Sequence, residues 1–228
     1  MDIPSHEYTQ RGSLFQHCDW INQKLRDLEA TPEFYESYFE RKGLNIKRLL
    51  EEAVPVAYLG LYFWRAWRDI FVTCLANNEP HDAVIELHDP TSQKDVQVEV
   101  TNVETKETTL RCQALARDGI VSFTGRVWRE GRTIRTEPEM VDVDEECERI
   151  LGAAFERFRV KAERERDPQT AILVYVNTYC LLPARHRHEL IERTRRYLIQ
   201  HQPTLYGVYY CYHLDLGIDG LRNDIHEL

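Results

Sequence analysis

The run from His81 to Leu87 alternates polar and apolar residues, and so does the run from Val96 to Val103. Period two is the repeat of a β-strand with one covered face. The polar stretch Asp89-Pro90-Thr91-Ser92-Gln93-Lys94-Asp95 between them reads as the turn of a hairpin. Burying Ala83, Ile85 and Leu87 with Val96, Val98 and Val100 leaves Asp82, Val84 and Glu86 with Gln97, Glu99 and Thr101 on the other face. A slip of one residue puts the valines in water, so the hydrophobic pattern sets the parity. Three carboxylates and an amide then share one patch of sheet. A hard cation such as Mg²⁺ (or Mn²⁺) relieves the repulsion among such carboxylates, taking oxygen ligands and keeping several waters. An ordinary solvated sheet face is the competing reading.

A second feature belongs to a helix opening at Asp144-Glu145-Glu146. Its stripe runs through Cys147, Leu151, Ala154 and Phe158, and Lys161 occupies the next position. A lysine there projects towards the sheet, or snorkels along the helix edge to water. Projecting inward, it places a cation beside the acidic patch.

Other elements must position these residues. The first 78 residues read as helices. Ser13 with Gln16 forms a capping-box pattern ahead of the stripe Leu14, Cys18, Ile21, Leu25 and Leu28. Thr31-Pro32-Glu33 reads as a helix start and Lys42-Gly43 as its close. A short helix follows from Asn45. Pro55 ends it or opens the next, whose stripe is Val56, Leu59, Phe63, Ala66, Ile70 and Cys74, stopping at Asn77-Asn78. Gly119 to Val127 and Arg132 to Arg135 suggest a second hairpin turning at Glu130-Gly131. Asp167-Pro168 breaks the Lys161 helix. The apolar run Ala171 to Val176 reads as a central strand covered on both faces. A helix from Pro183 to Gln200 and a strand from Leu205 to Tyr212 complete the pattern. Strands alternating with helices imply a mixed sheet with helical cover. The expected class is therefore α/β, a mixed central β-sheet flanked by helices, with an N-terminal helical extension over 1–44. The remainder, 45–228, forms one α/β domain with a β-hairpin insertion at about 104–143.

Composition narrows the function. The chain has 228 residues, 43% hydrophobic and 29% charged, which suits a folded globular domain. No apolar run reaches the roughly 20 residues of a membrane span, and the N-terminal stretch has no apolar signal core. The six cysteines are scattered without a C-x-x-C pair, which argues against a zinc ribbon and for a reducing, cytoplasmic setting. A net charge of −9 is unlike an indiscriminate polyanion binder. Two segments are nonetheless basic, one holding Arg126, Arg129, Arg132 and Arg135, the other Arg185 and Arg187 within an arginine-rich helix. There is no phosphate-binding G-x-x-x-x-G-K-[ST] loop and no G-x-S-x-G elbow, so neither an ATP motor nor a serine hydrolase is expected. Asp215 to Gly220 resembles half a calcium loop, but His226 stands where the bidentate Glu belongs.

Pro80-His81-Asp82, a turn, and Val98-Glu99-Val100-Thr101 resemble the PD-(D/E)XK nuclease superfamily, the restriction-endonuclease-like fold. The resemblance covers roughly residues 45 to 180, where a helix, a hairpin, a helix and a strand follow in the family's order. Thr101 stands where the family's lysine is expected. Some relatives carry Glu-x-Thr with the lysine supplied by the following helix, a place that Lys161 fits. The resemblance implies metal-dependent phosphodiester hydrolysis of nucleic acid, in DNA metabolism or defence. Asp82 and Glu99 would hold the Mg²⁺ or Mn²⁺, Lys161 would be the catalytic cation, and Glu86, Gln97 and Thr101 would support them. Glu51 or Glu52 adds a further acid, as the early helix does in some relatives. Arg126, Arg129, Arg132, Arg185 and Arg187 are the expected nucleic-acid contacts, with DNA ahead of RNA, no membrane partner, and a homodimer as an open alternative. The alternative function is a non-catalytic interaction module on the same fold.

Overall fold

The computed structural model describes residues 3–31, 44–76, 79–104, 106–118, 125–131, 133–138, 142–164, 167–176, 183–213 and 223–228. The expected helix signals at Thr31-Pro32-Glu33 and Lys42-Gly43, and the half calcium loop, fall partly or wholly outside them.

A short helix α1 (Ser5–Tyr8) and strand β1 (Gly12–Ser13) lead into helix α2 (Leu14–Glu29). The capping box is formed. The Ser13 hydroxyl oxygen accepts the Gln16 N–H at 3.3 Å, and Gln16 Oε1 accepts the Ser13 N–H at 2.9 Å. A longer helical run follows in three parts: α3 (Leu44–Arg48), a π turn (Leu49–Ala53) and α4 (Val54–Phe63). Pro55 lies in the first turn of α4, so it opens that helix. Having no N–H, it returns nothing to the Glu51 carbonyl four residues earlier. The side-chain amide of Asn102 donates to that carbonyl at 3.0 Å, tying the helix to the sheet.

Helix α4 stops at Phe63, and Asp69–Cys74 is strand β2, which corrects the helical reading of this stretch. Ile70 and Cys74, four apart, satisfy both the helical and the strand period. Val72 between them is fully buried, and only the strand period accounts for that. Strand β2 pairs antiparallel with β3 (Ala83–Asp89), and β3 with β4 (Ser92–Asn102). Asp89 accepts the Thr91 N–H at 2.7 Å and the Thr91 hydroxyl at 2.8 Å, so the turn closes over Pro90-Thr91 alone. The polar residues 92–95, expected in the turn, therefore belong to β4.

The chain then forms helix α5 (Lys106–Asp118) and the hairpin of β5 (Arg126–Glu130) and β6 (Thr133–Glu137), which share a small core of Leu110, Ala114, Val127 and Ile134. This helix within the insertion was not foreseen. Helix α6 (Val143–Arg164) crosses over to strand β7 (Thr170–Val176), which is parallel to β4 and buried throughout. Helix α7 (Ala184–His201) crosses over again to β8 (Gly207–His213), parallel to β7, and β9 (Asn223–Glu227) closes the edge antiparallel to β8.

The result is an α/β fold with a seven-stranded mixed sheet in the order β1-β2-β3-β4-β7-β8-β9. One face packs on α2 and α4 through Val98, Val100, Leu173 and Tyr209, with Leu14, Val56, Leu59 and Phe63 above them. The other face presents Ile172, Val174, Val208 and Tyr210 to Leu151, Ala154 and Phe158 of α6 and Leu190 of α7. Both parallel crossovers run in the same direction along the sheet, so right-handed connections put α6 and α7 on one face. No described helix is long and apolar enough to cross a membrane.

The Asn102 bond is the fastening between β4 and the π turn. Asn102→Ala should cost about 1 kcal/mol, measured by urea denaturation. An unchanged midpoint would mean that the Glu51 carbonyl is satisfied without it.

Candidate active site

The valine parity of the hairpin places its polar face as the alternation requires. Ala83, Ile85, Leu87, Val96 and Val98 are fully buried, and Val100 nearly so, on the α4 side. Glu99 and Thr101 then lie on the α6 side, beside Ile172 and Val174 of β7. Because α6 joins β4 to β7, its inner face passes over these two residues.

Asp82 stands just before β3, at the hairpin's open end. Its N–H donates to the Val98 carbonyl at 3.0 Å, and its carbonyl accepts the Leu75 N–H at 2.9 Å. Its carboxylate accepts the Val100 N–H at 2.7 Å. The residue is thus pinned between β2 and β4, with one carboxylate oxygen committed. The other oxygen has no protein donor among the described residues. Burial pushes the Asp82 carboxyl above its ordinary range, against the Val100 hydrogen bond and the charges of Lys161, Arg48 and His81, which pull it down.

Glu99 is only 8% exposed. Lys161 Nζ forms an ion pair with its Oε1, and His81 Nδ1 lies 4.0 Å from its Oε2. The α6 stripe explains the first contact. Cys147, Ile150, Leu151, Ala154, Phe158 and Ala162 are buried against the sheet, and Lys161 neighbours the last of them.

Asp82 and Lys161 border an open cleft of about 470 Å³, and Glu99 stands behind Lys161, outside the cleft's lining. Asp82, Val100, Thr101 and Asn102 come from the sheet, Lys47, Glu51 and Glu52 from α3 and the π turn, and Arg157 and Lys161 from α6; Glu104 and Thr109 complete the lining. Glu52 is held from behind. Its Oε2 accepts the Tyr8 hydroxyl at 2.9 Å and Arg48 Nε at 3.0 Å. The Arg48 guanidinium stacks 4.0 Å from the Tyr8 ring and donates to the Leu75 carbonyl. Burial and then the charge of Asp82 push the Glu52 carboxyl up, so the two acids sense each other across the cleft.

The remaining expected site residues lie elsewhere. Glu86 pairs with Arg11 at 2.6 and 2.8 Å and with His88 at 3.4 Å, opposite Asp95. It shares Asp82's parity but sits four residues, roughly 13 Å, along the strand, so the patch of three carboxylates separates into two places. Gln97 faces Val84, and its Oε1 is buried without a partner among the described residues. Arg126 and Arg129 are exposed on the β5–β6 hairpin, Arg129 donating to Gln113 at 2.6 Å. Arg132 lies outside the described residues. Arg185 pairs with Asp144, and Arg187 lies 5.6 Å from the Tyr212 ring.

Sequence reasoning missed the cleft's Lys47 and Arg157 and the Tyr8–Arg48 support. Arg157 precedes Lys161 by four, and Lys47 precedes Glu51 by four, a spacing that puts each pair on one helix face. The Tyr8 contact spans 44 positions and carries no local signal.

A group of three or more His, Cys, Asp or Glu side chains able to hold a metal is absent among the described residues. Mg²⁺ does not require one, because it binds through one or two carboxylates and keeps waters. Asp82 and Glu99 offer hard oxygen donors of that kind: the second oxygen of Asp82 has no protein donor among the described residues, and Lys161 takes only Oε1 of Glu99. Comparison with family models, with curated proteins and with solved structures returned no match.

The raised Asp82 carboxyl gives a signed expectation. Its contribution to stability is fully present below its ordinary value of 3.8 and is lost as pH rises through the higher folded value. Without divalent ions, Asp82→Asn, which keeps an oxygen for the Val100 N–H, should melt above the parent protein at neutral pH. The gap should close on acidification. A gap independent of pH in paired thermal melts would show that Asp82 is not held against its charge.

Proposed function

We propose that this chain is a metal-dependent nuclease with a restriction-endonuclease-like site, hydrolysing phosphodiester bonds of nucleic acid. The observation that carries the proposal is Lys161, paired with Glu99 and lining one cleft with Asp82, whose carboxyl its charge pulls down. Thr101 leaves the hairpin motif without its lysine, and the helix crossing above it supplies one at the matching carboxylate. The element order also supports the reading: a helix, an antiparallel meander, a crossover helix and a parallel strand.

Asp82 and Glu99 would hold the Mg²⁺, which when bound stabilises charge on phosphate oxygens and provides hydroxide near neutral pH. The chain's own groups do the rest. The Val100 N–H fixes the orientation of Asp82. The Lys161 ammonium, anchored by Glu99, offsets charge that develops on the phosphate and orients the attacking water. Thr101 offers a hydroxyl at the cleft floor in place of a second ammonium. Glu52, held by Tyr8 and Arg48, adds negative charge opposite Asp82 and strengthens the demand for a cation.

A second reading has its own observation. Lys161 already neutralises Glu99, so the pair satisfies itself as it would in a non-catalytic interaction module on this fold.

Two measurements separate these readings. Asp82→Ala and Glu99→Ala should each abolish Mg²⁺ binding in calorimetric titration while leaving the circular dichroism spectrum intact. With plasmid and single-stranded substrates in Mg²⁺ or Mn²⁺, Lys161→Met should lower the cleavage rate by at least about 10²-fold. Lys161→Gln, which keeps a donor for the buried Glu99, should do the same, and Lys161→Arg should not rescue it. Unchanged Mg²⁺ affinity in both carboxylate variants, with no cleavage by the parent protein, would favour the interaction module.

A further inference from the structure

The basic segments that composition marks are largely engaged with the protein itself. Arg129 donates to Gln113, Arg135 pairs with Glu130, Arg185 with Asp144, Arg193 with Glu148 and Glu189, and Arg195 with Glu192. Helix α6 shows a sharper contrast along its own length. Arg149 is paired with Glu146 and Glu107, and Arg159 with both Glu156 and Glu163. Arg157, between them, has no hydrogen-bond or ion-pair partner among the described residues. It lies on the cleft, one helical turn before Lys161. The acid immediately beside it, Glu156, turns to Arg159 at 2.7 Å.

Across the cleft stands Lys47, 57% exposed and 3.9 Å from Glu51, the limit of an ion pair. Resting on the nuclease reading, we propose that Arg157 and Lys47 are the protein's phosphate anchors, holding a nucleic-acid backbone across the cleft from its two walls. An uncommitted guanidinium suits this task, because its planar fork matches two phosphate oxygens. The cleft lining sets a condition on such binding. Glu51, Glu52, Asp82 and Glu104 face Lys47, Arg157 and Lys161, leaving an excess of one negative charge by formal count. A polyanion is repelled by that balance, and a divalent ion at Asp82 reverses its sign. Backbone binding at this cleft therefore depends on the divalent cation, and the anchors act only after it is in place.

The test is fluorescence anisotropy with a short labelled DNA strand and its duplex, in EDTA and in Ca²⁺, across a range of salt, with the DNA checked intact afterwards. The parent protein should bind more tightly in Ca²⁺ than in EDTA. Arg157→Ala and Lys47→Ala should each weaken binding in Ca²⁺. Each should also make the slope of log K against log salt shallower by about 0.7 for the strand and about 0.9 for the duplex, the signature of one lost phosphate contact. Arg129→Ala, on the β5–β6 hairpin, should leave the slope unchanged, because its guanidinium is held by Gln113. Binding by the parent protein with its slope intact in Arg157→Ala and Lys47→Ala would overturn this inference alone. A slope reduced only in Arg129→Ala would move the contact to the hairpin. No binding by the parent protein in either condition would overturn the nuclease reading as well.

Discussion

The ion pair between Lys161 and Glu99 is the contact on which the arrangement of the site depends. Glu99 is nearly buried on a central strand, and a carboxylate there without a cation costs several kcal/mol or gives up its charge. The cation must come from the element that covers that face, which is the crossover helix α6. Helix α6 is itself fixed by six buried residues seated on the sheet, so its rotation and its height above β4 are set before Lys161 is reached. The pair then does two things. It satisfies Glu99 in the folded chain, and it holds an ammonium at the edge of a polar cleft.

Asp82 completes the pair through a different constraint. It stands where β3 begins and keeps ladder bonds to β2 and β4, with its carboxylate turned to the Val100 N–H. The backbone thus carries both acids of the hairpin, one on the sheet face and one at the strand's mouth. The far wall is held by long-range contacts. Asn102 fastens the π turn to β4, and Tyr8 with Arg48 keeps Glu52 facing Asp82. The N-terminal segment therefore belongs to the site's support: α1 backs Glu52, while β1 and α2 extend and cover the sheet.

Much of this was legible in the residues, for identifiable reasons. Alternating valines specify parity strongly, and that parity sent Glu99 and Thr101 to the α6 side. The stripe at Cys147, Leu151, Ala154 and Phe158 pointed Lys161 inward, and the buried run from Ala171 marked the strand beside Glu99. What failed did so where one pattern serves two periods or where no local pattern exists. Ile70 and Cys74 fit both a helix and a strand, and the strand prevailed because β3 needed an antiparallel neighbour. Glu86 shared the parity of Asp82, but parity says nothing of distance along a strand, and Arg11 from the remote β1 end claimed it. The counting of arginines found basic segments, yet neighbouring acids neutralise several of them. That Arg157 has no partner among the described residues is a property of the three-dimensional pairing of its neighbours, which the count of arginines does not carry.

A nuclease site here requires that the oxygens of Asp82 and Glu99 receive a divalent ion. Crystals grown with Mn²⁺, measured by anomalous diffraction, address this directly. The prediction is an anomalous peak bonded to both carboxylates, with Lys161 remaining at the cleft edge. No peak at Asp82 at saturating Mn²⁺, with the Lys161–Glu99 pair closed as before, would contradict it.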